Sequence, residues 1–153
     1  MRRTLVRLRR FAPALGIVAV LLLPVTALAA DASVQVVSAK LIAKGVQVDV
    51  TVSFTCPAGY VVASEPNFTQ GGLRASVQQA ISKTQQASGF GSTGGQTCSG
   101  SPQTAVIHVI SAASGPPFGT GPAVVTASVF ACDPSGYPCT SASSGPTTVR
   151  ITK

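Results

Sequence analysis

The sequence has no tryptophan, one methionine and one histidine, and only 10% of its residues are charged, four of them acidic. These shortages limit the available chemistry, because hydrolases of the serine type need a base, an orienting acid and a nucleophile together. The one candidate base, His108, lies between Ile107 and Val109 in a predicted strand, where we expect a partly buried structural histidine. We therefore predict no enzyme activity.

Other sites that need clustered residues are also missing. The acidic residues are too scattered along the chain to indicate the carboxylate pair of a glycosidase. No Cys-x-x-Cys pair accompanies the lone histidine, so neither a metal site nor a cofactor is expected. The glycine-rich stretch Ser88–Gly95 is not followed by a Gly-Lys-Ser/Thr motif or a helix, which favours a strand edge and turn over a phosphate-binding loop. The acidic residues are Asp31, Asp49, Glu65 and Asp133.

The first 29 residues have the pattern of a secretory signal peptide. Five arginines precede a nearly continuous apolar stretch from Ala14 to Leu23, and Ala27-Leu28-Ala29 supplies small residues for cleavage. We expect cleavage after Ala29 or after Ala30, and hence a secreted, extracellular domain over residues 30–153. An uncleaved membrane anchor over 11–30 is the alternative, but Pro13 and Pro24 interrupt it.

Signal cleavage removes most of the apparent positive charge. The whole chain has a formal net charge of +7, but five of its eleven basic residues lie in the signal. The remaining domain has six scattered basic residues and four acidic ones, so its net charge is close to neutral. We therefore expect no nucleic-acid partner and, after cleavage, no membrane association.

Alternating residues predict an all-β domain. Val46 to Thr55 alternates apolar and polar side chains over ten residues, the clearest strand pattern in the chain. Residues 104–111 read as a central strand covered on both faces, and residues 73–82 as a strand, with a short amphipathic helix as the alternative. With turn signals about every ten residues, the sequence predicts one antiparallel immunoglobulin-like β-sandwich of seven or eight strands with two disulfides.

Four cysteines, an even number, occur in the predicted exported domain, which indicates two disulfides. Three pairings are possible. Cys132 and Cys139 are the natural local pair, and they leave Cys56 and Cys98 for a long bridge.

Three aromatic residues lie in predicted loops that contain glycine or proline: Phe68, Phe118 and Tyr137. Loops at the ends of a sandwich often carry binding sites, which makes these rings the candidate binding residues. The alternative is that they cap the ends of the core.

Several cysteine and turn segments give the domain a resemblance to known proteins. The segments 55–59, 88–92 and 98–104, with Phe130-Ala131-Cys132 and Cys139, resemble small exported β-sandwich proteins of high-GC Gram-positive bacteria, for which no activity is assigned. The resemblance is compatible with the Cys56–Cys98 bridge and implies no functional residues. At the level of fold alone, the domain is similar to the enediyne-carrier apoproteins, although its cysteine spacing differs.

The sequence therefore predicts a secreted, non-enzymatic and monomeric β-sandwich that acts as a binding, cell-surface or matrix module. Its partner would be an unknown extracellular ligand or protein. The alternative is an extracellular small-molecule carrier or an enzyme inhibitor, since the domain is small, cross-linked and rich in loops.

Overall fold

A computed structural model describes residues 31–63 and 72–153. The predicted signal peptide and the segment containing Glu65 and Phe68 lie outside the described residues. Within these two ranges nine strands follow one another, with a short 3-10 turn at Ala43–Gly45. They are β1 (Ser33–Ile42), β2 (Gln47–Thr55), β3 (Val61–Val62), β4 (Gly72–Ala80), β5 (Gln86–Thr93), β6 (Gln103–Ser111), β7 (Gly121–Cys132), β8 (Cys139–Ser143) and β9 (Thr147–Thr152). The prediction of an all-β domain is confirmed, as is the strand predicted within residues 73–82.

Seven of the strands form a closed barrel. Its order is β7-β4-β5-β6-β2-β1-β9, and β9 pairs back to β7, while β3 and β8 lie outside this ring and pair with β7. All pairs are antiparallel except β1 and β9, which are parallel at Ala39–Ile151 and Lys40–Thr152. An antiparallel sandwich was expected. The difference lies in the second half of β1, which follows a bulge after Val36 and pairs with β9 on one edge while it keeps β2 on the other.

Apolar side chains fill the barrel interior. In β2 the alternation predicted from the sequence holds, with Val48, Val50, Val52 and Phe54 almost completely buried. Leu73, Ile107, Val125 and Ile151 face them from other strands and are equally buried. Each such side chain contributes about 1.5–3 kcal/mol by leaving water, so this interior provides the main stabilisation of the fold.

Both predicted disulfides are confirmed. Cys56 follows β2 on the inward side and bonds to Cys98, which lies 42 residues further along the chain. The Cys98 backbone N–H also donates to the Tyr60 carbonyl at 2.7 Å, which ties the β2–β3 connection to the segment before β6. Cys132 bonds to Cys139 and so joins the end of β7 to the start of β8.

Two inward-facing glycines let β5 lie directly on its neighbour. A Cβ atom at Gly91 would lie 2.7 Å from the carbonyl carbon of His108 and would overlap the attached oxygen. At Gly89 it would meet the Ile110 carbonyl and lie 2.9 Å from the Phe118 ring. The stretch predicted as a strand edge and turn is thus a paired strand whose glycines permit a close backbone approach.

The loop between β6 and β7 closes one end of the barrel. Phe118 is only 3% exposed, and its N–H donates to the Gly45 carbonyl at 2.9 Å. The buried side-chain amide of Gln79 binds both backbone polar groups of Gly119, the residue after Phe118. It donates to the Gly119 carbonyl at 2.9 Å and accepts from the Gly119 N–H at 2.8 Å. One polar side chain inside the barrel therefore positions this loop.

Replacing Gln79 by leucine should lower the free energy of unfolding by about 1–3 kcal/mol, because the Gly119 peptide groups would lose their partners. Gln78 is the matched control, since it is the neighbouring glutamine on the same strand and faces solvent. Gln78→Leu should change stability by less than about 0.5 kcal/mol. Urea unfolding of both variants measures the difference, and equal losses would contradict this role for Gln79.

Candidate functional site

The outer surface of four neighbouring barrel strands presents a hydroxyl-rich face with few charges. Phe90 on β5 lies opposite Ser76 of β4 and Ile110 of β6, and Ser76 in turn lies opposite Thr126 of β7. These side chains point outward because their neighbours in each strand point into the core. The pairing therefore places an aromatic ring in line with two hydroxyl side chains across the sheet.

Phe90 is the most unusual residue of this face. It lies in the middle of a strand, flanked by Gly89 and Gly91, and yet 54% of it is exposed. The Arg74 guanidinium lies 5.8 Å from the centre of its ring, within the range of a cation–π contact. A large apolar ring held in water on a rigid strand is a common feature of binding surfaces.

Three open depressions follow one another across this face, and we call them together the outer groove. The first, of about 330 Å³, is lined by Phe90, Ser88 and Ile110 among others. The second, of about 120 Å³, shares Phe90 with the first and reaches Ser128. The third, of about 470 Å³, shares Ser128 with the second and continues to Phe130 and the serines of β8.

The outer groove carries little charge. Among the described residues that line it, Arg74 alone is charged. Hydroxyl groups line its middle and its far end, and an aromatic residue lies near each end. The hydroxyl-bearing residues are Ser76, Ser88, Thr126, Ser128, Ser141 and Ser143. Such a surface offers hydrogen bonds and a stacking platform without a strong electrostatic field.

His108 forms a small polar cluster on β2 and β6, outside the groove. Its Nδ1 lies 2.8 Å from Asp49 Oδ1, and the Gln47 amide donates to the same oxygen at 2.6 Å. Burial raises the pKa of Asp49, but the hydrogen bonds with His108 and Gln47 and the attraction of His108 and Lys40 outweigh burial and hold it below its ordinary value.

The expectation that His108 is partly buried is wrong, since 64% of its side chain is exposed. Its strand β6 was expected to be covered on both faces, and instead Val106 and Ile110 are also exposed on the outer side. The hydrogen-bonded neighbours of the imidazole are Asp49 and Gln47, which orient the ring but supply no nucleophile. The ring lies on the solvent side because its strand neighbours Ile107 and Val109 point into the core.

The described residues contain no group of three metal-ligating side chains, and all four cysteines are in disulfides. No helix in the part of the chain that the structure describes is long and apolar enough to cross a membrane.

Tyr137 projects from a tightly closed loop and is 81% exposed. The loop is held by the Cys132–Cys139 bridge and by the Asp133 carboxylate, which accepts from the Ser135 N–H at 2.9 Å and from its hydroxyl. These hydrogen bonds lower the pKa of Asp133. The Asp133 N–H donates to the Pro138 carbonyl at 3.0 Å, which closes the backbone ring.

The three aromatic residues proposed from the sequence do not form one surface. Phe118 is a core residue at one end of the barrel, as the alternative interpretation held for such rings. Tyr137 lies at the other end, because Phe118 precedes the 12-residue strand β7 and Tyr137 follows it. Phe68 is outside the described residues.

Phe90 is not among the candidate binding residues predicted above, although the sequence around it has the pattern of a strand. Ser88, Phe90 and Ser92 alternate with Gly89 and Gly91, which is the period of a strand with its larger side chains on one face. Glycine-rich segments are also typical of turns, and the prediction for this segment was therefore a strand edge and turn.

Comparison of the chain with protein-family models, with curated proteins and with solved structures finds no match. The resemblances proposed from the cysteine and turn segments therefore stay predictions.

Proposed function

We propose that this protein is a secreted, non-enzymatic binding module whose ligand site is the outer groove around Phe90. The observation that carries the proposal is the half-exposed Phe90 ring, held on a paired strand between two open depressions. Binding sites combine an apolar contact area with a few polar groups that orient the ligand, and the groove offers both.

Export is proposed from the signal-peptide pattern of residues 1–29 and is supported by the two disulfides, which persist in oxidising compartments. The domain over residues 30–153 would act outside the cell as a monomer, as a free binding protein or as part of the surface or matrix. Its low net charge does not favour nucleic acid as a partner.

We also propose that the barrel is a variant of the immunoglobulin-like sandwich. The main strands β1, β2, β4, β5, β6, β7 and β9 would correspond in chain order to strands A to G of such a domain. The pairings β1-β2-β6-β5 and β4-β7-β9 then match the A-B-E-D and C-F-G sheets. In this interpretation the β4–β5 and β1–β9 pairs join two sheets into a ring.

A non-enzymatic role is supported by the surroundings of the one histidine. Its hydrogen bonds go to Asp49 and Gln47, on a solvent-exposed sheet face that does not exclude water. Catalysis by an oriented imidazole needs a nucleophile and a stabilising site for the developing charge. The contacts of His108 supply neither.

Phe90→Ala tests the proposed site. The isotope-labelled domain would be titrated with soluble cell-wall fragments, polysaccharides and extracellular protein fractions. We expect chemical-shift changes that cluster on the outer groove and are lost in the variant. Val37→Ala is the control, because Val37 is an equally exposed apolar residue on β1, three strands away from β5 in the barrel order. Shifts confined to other surfaces, or no binding across the panel, would contradict the proposal.

The second candidate function is enzyme inhibition through the Tyr137 loop. A cross-linked loop that presents one exposed tyrosine loses little conformational freedom on binding, which favours affinity for a partner protein. A panel of proteases and glycosidases would be assayed with the domain and with Tyr137→Ala. Inhibition that disappears in the variant is expected, and no inhibition of any enzyme would exclude this function.

The carrier alternative has less support. The described core is filled by aliphatic side chains, and the depressions of the outer groove open to solvent on the outside of the barrel.

A further inference from the structure

We infer that the ligand of the outer groove is an uncharged polysaccharide, bound along its length with one sugar ring stacked on Phe90. The inference rests on the proposed binding function and adds the chemical class of the ligand. It follows from three features of the groove: its shape, its low charge and the placement of its aromatic and hydroxyl groups.

The shape of the groove fits a chain-like ligand. Its depressions lie side by side, with Phe90 lining the first and second and Ser128 lining the second and third, and together they cross β5, β4, β7 and β8 diagonally. Strand spacing and rise per residue place the Cα atoms of Phe90 and Phe130 about 16 Å apart. That length accommodates several linked sugar rings, whereas a single compact ligand would occupy only one of the three depressions.

The chemistry of the groove matches that of a sugar chain. A pyranose ring has an apolar face of C–H groups and a rim of hydroxyl groups. The exposed face of Phe90 can pack against the C–H groups, while hydroxyls such as those of Ser76, Thr126 and Ser128 can donate to and accept from the rim. Each strand brings its hydroxyl group to the same face as the ring.

The charge of the groove favours a neutral ligand over an anionic one. Arg74 is its one charged residue among those described, and its guanidinium already lies over the Phe90 ring and has a further interaction. An acidic polymer would need several free cations along its length, and the two depressions on either side of the second have none among their described residues. The side chains of the groove thus complement hydroxyl groups better than carboxylates or sulfates.

Calorimetry and affinity electrophoresis with matched polymers test the inference. The neutral probes are cellulose, xylan, chitin and starch fragments of increasing length, and the anionic probes are polygalacturonate, alginate and heparin. We expect at least one neutral glycan to bind, with an affinity that rises with length until the groove is filled. Phe90→Ala should weaken that binding about tenfold or more, and Phe90→Tyr should preserve it.

Two further measurements separate the site from general damage to the fold. Thermal unfolding should show Phe90→Ala and Phe90→Tyr still folded at the assay temperature. Ser128→Gln fills the junction of two depressions, so it should weaken binding of long fragments and leave the shortest ones unaffected.

The possible results distinguish this inference from the function on which it rests. Binding of an anionic glycan or a protein that Phe90→Ala abolishes, without binding of any neutral glycan, would overturn the inference and keep the proposed site. Glycan binding that is indifferent to both Phe90→Ala and Ser128→Gln would overturn both. Absence of binding to every glycan and protein probe would also overturn both.

Discussion

Replacing Gly91 by alanine is expected to destabilise the domain by about 3 kcal/mol or more, because the added methyl group has no space. Its position would overlap the His108 carbonyl oxygen and lie 3.0 Å from the Val109 Cα, so backbone atoms rather than a flexible side chain would have to move. Strand β5 would be pushed off β6, and the β5–β6 pairing at Gly89–Ser111 and Phe90–Ile110 would weaken. Thermal unfolding should show a midpoint lower by roughly 10 °C or more.

Gly119→Ala is the control for this effect. A Cβ atom there meets nothing within 4 Å, so the variant should unfold close to the wild-type midpoint. If Gly91→Ala were as stable as Gly119→Ala, the close approach of β5 to β6 would be contradicted. Because Gly91 adjoins Phe90, a displaced strand should also weaken any binding that depends on the Phe90 ring.

Removing the long disulfide should have the second large effect. Substituting both Cys56 and Cys98 by alanine should cost about 4 kcal/mol, because the bridge restricts a long loop in the unfolded chain. Removing Cys132 and Cys139 in the same way should cost about 2.5 kcal/mol, because that bridge closes a loop with a separation of only 7 residues.

Guanidinium unfolding of the two double variants, with the other bridge kept intact, compares these costs. The midpoint and the slope should both be measured, since a removed cross-link also expands the unfolded state. An equal or larger loss for the short bridge would mean that native contacts of the Tyr137 loop, and not loop entropy, dominate its contribution.

The sequence predicts strands correctly where one face of the strand is buried in the core and the other face is exposed to solvent. In β2, every second residue from Val48 to Phe54 is core, and the same parity carries Cys56 to the inside, where it meets Cys98. This information is local, because it depends only on which side of a strand a residue occupies.

The closure of the barrel was not predictable from the sequence. Alternation of apolar and polar residues shows which face of a strand is buried, but it does not show which strands pair with each other. Strand β1 pairs with β2 on one edge and with β9 on the other, and residues 113 positions apart in sequence meet in the second pairing. The sequence around Val37 also has no pattern that predicts the bulge between Val36 and Ser38. The prediction of an all-β domain is therefore confirmed, whereas the parallel pair and the closure of the sheet were not predicted.

The candidate site was missed for a related reason. Phe118 and Phe90 each lie next to glycine, and the sequence predicted a loop for Phe118 and a strand edge and turn for Phe90. Their exposure depends on distant partners: Gln79 holds the loop that buries Phe118, while Gly89 and Gly91 are pressed onto β6 and leave Phe90 outside. Phe118, which was predicted to lie in an exposed loop, is therefore a core residue. Phe90, which was predicted to lie at a strand edge and turn, is the centre of the proposed groove.

The parallel pair between β1 and β9 also constrains the order in which the chain can fold. The Thr152 hydroxyl donates to the Ala39 carbonyl at 3.4 Å across 113 residues, so this contact is among the most non-local in the molecule. Topologies rich in such contacts fold slowly, because distant segments must meet before their pairing stabilises them. Until β9 docks, β1 and the first half of β7 each keep an open edge that can pair with another chain. We therefore expect partly folded chains in which β9 has not yet docked to aggregate more readily than the closed barrel.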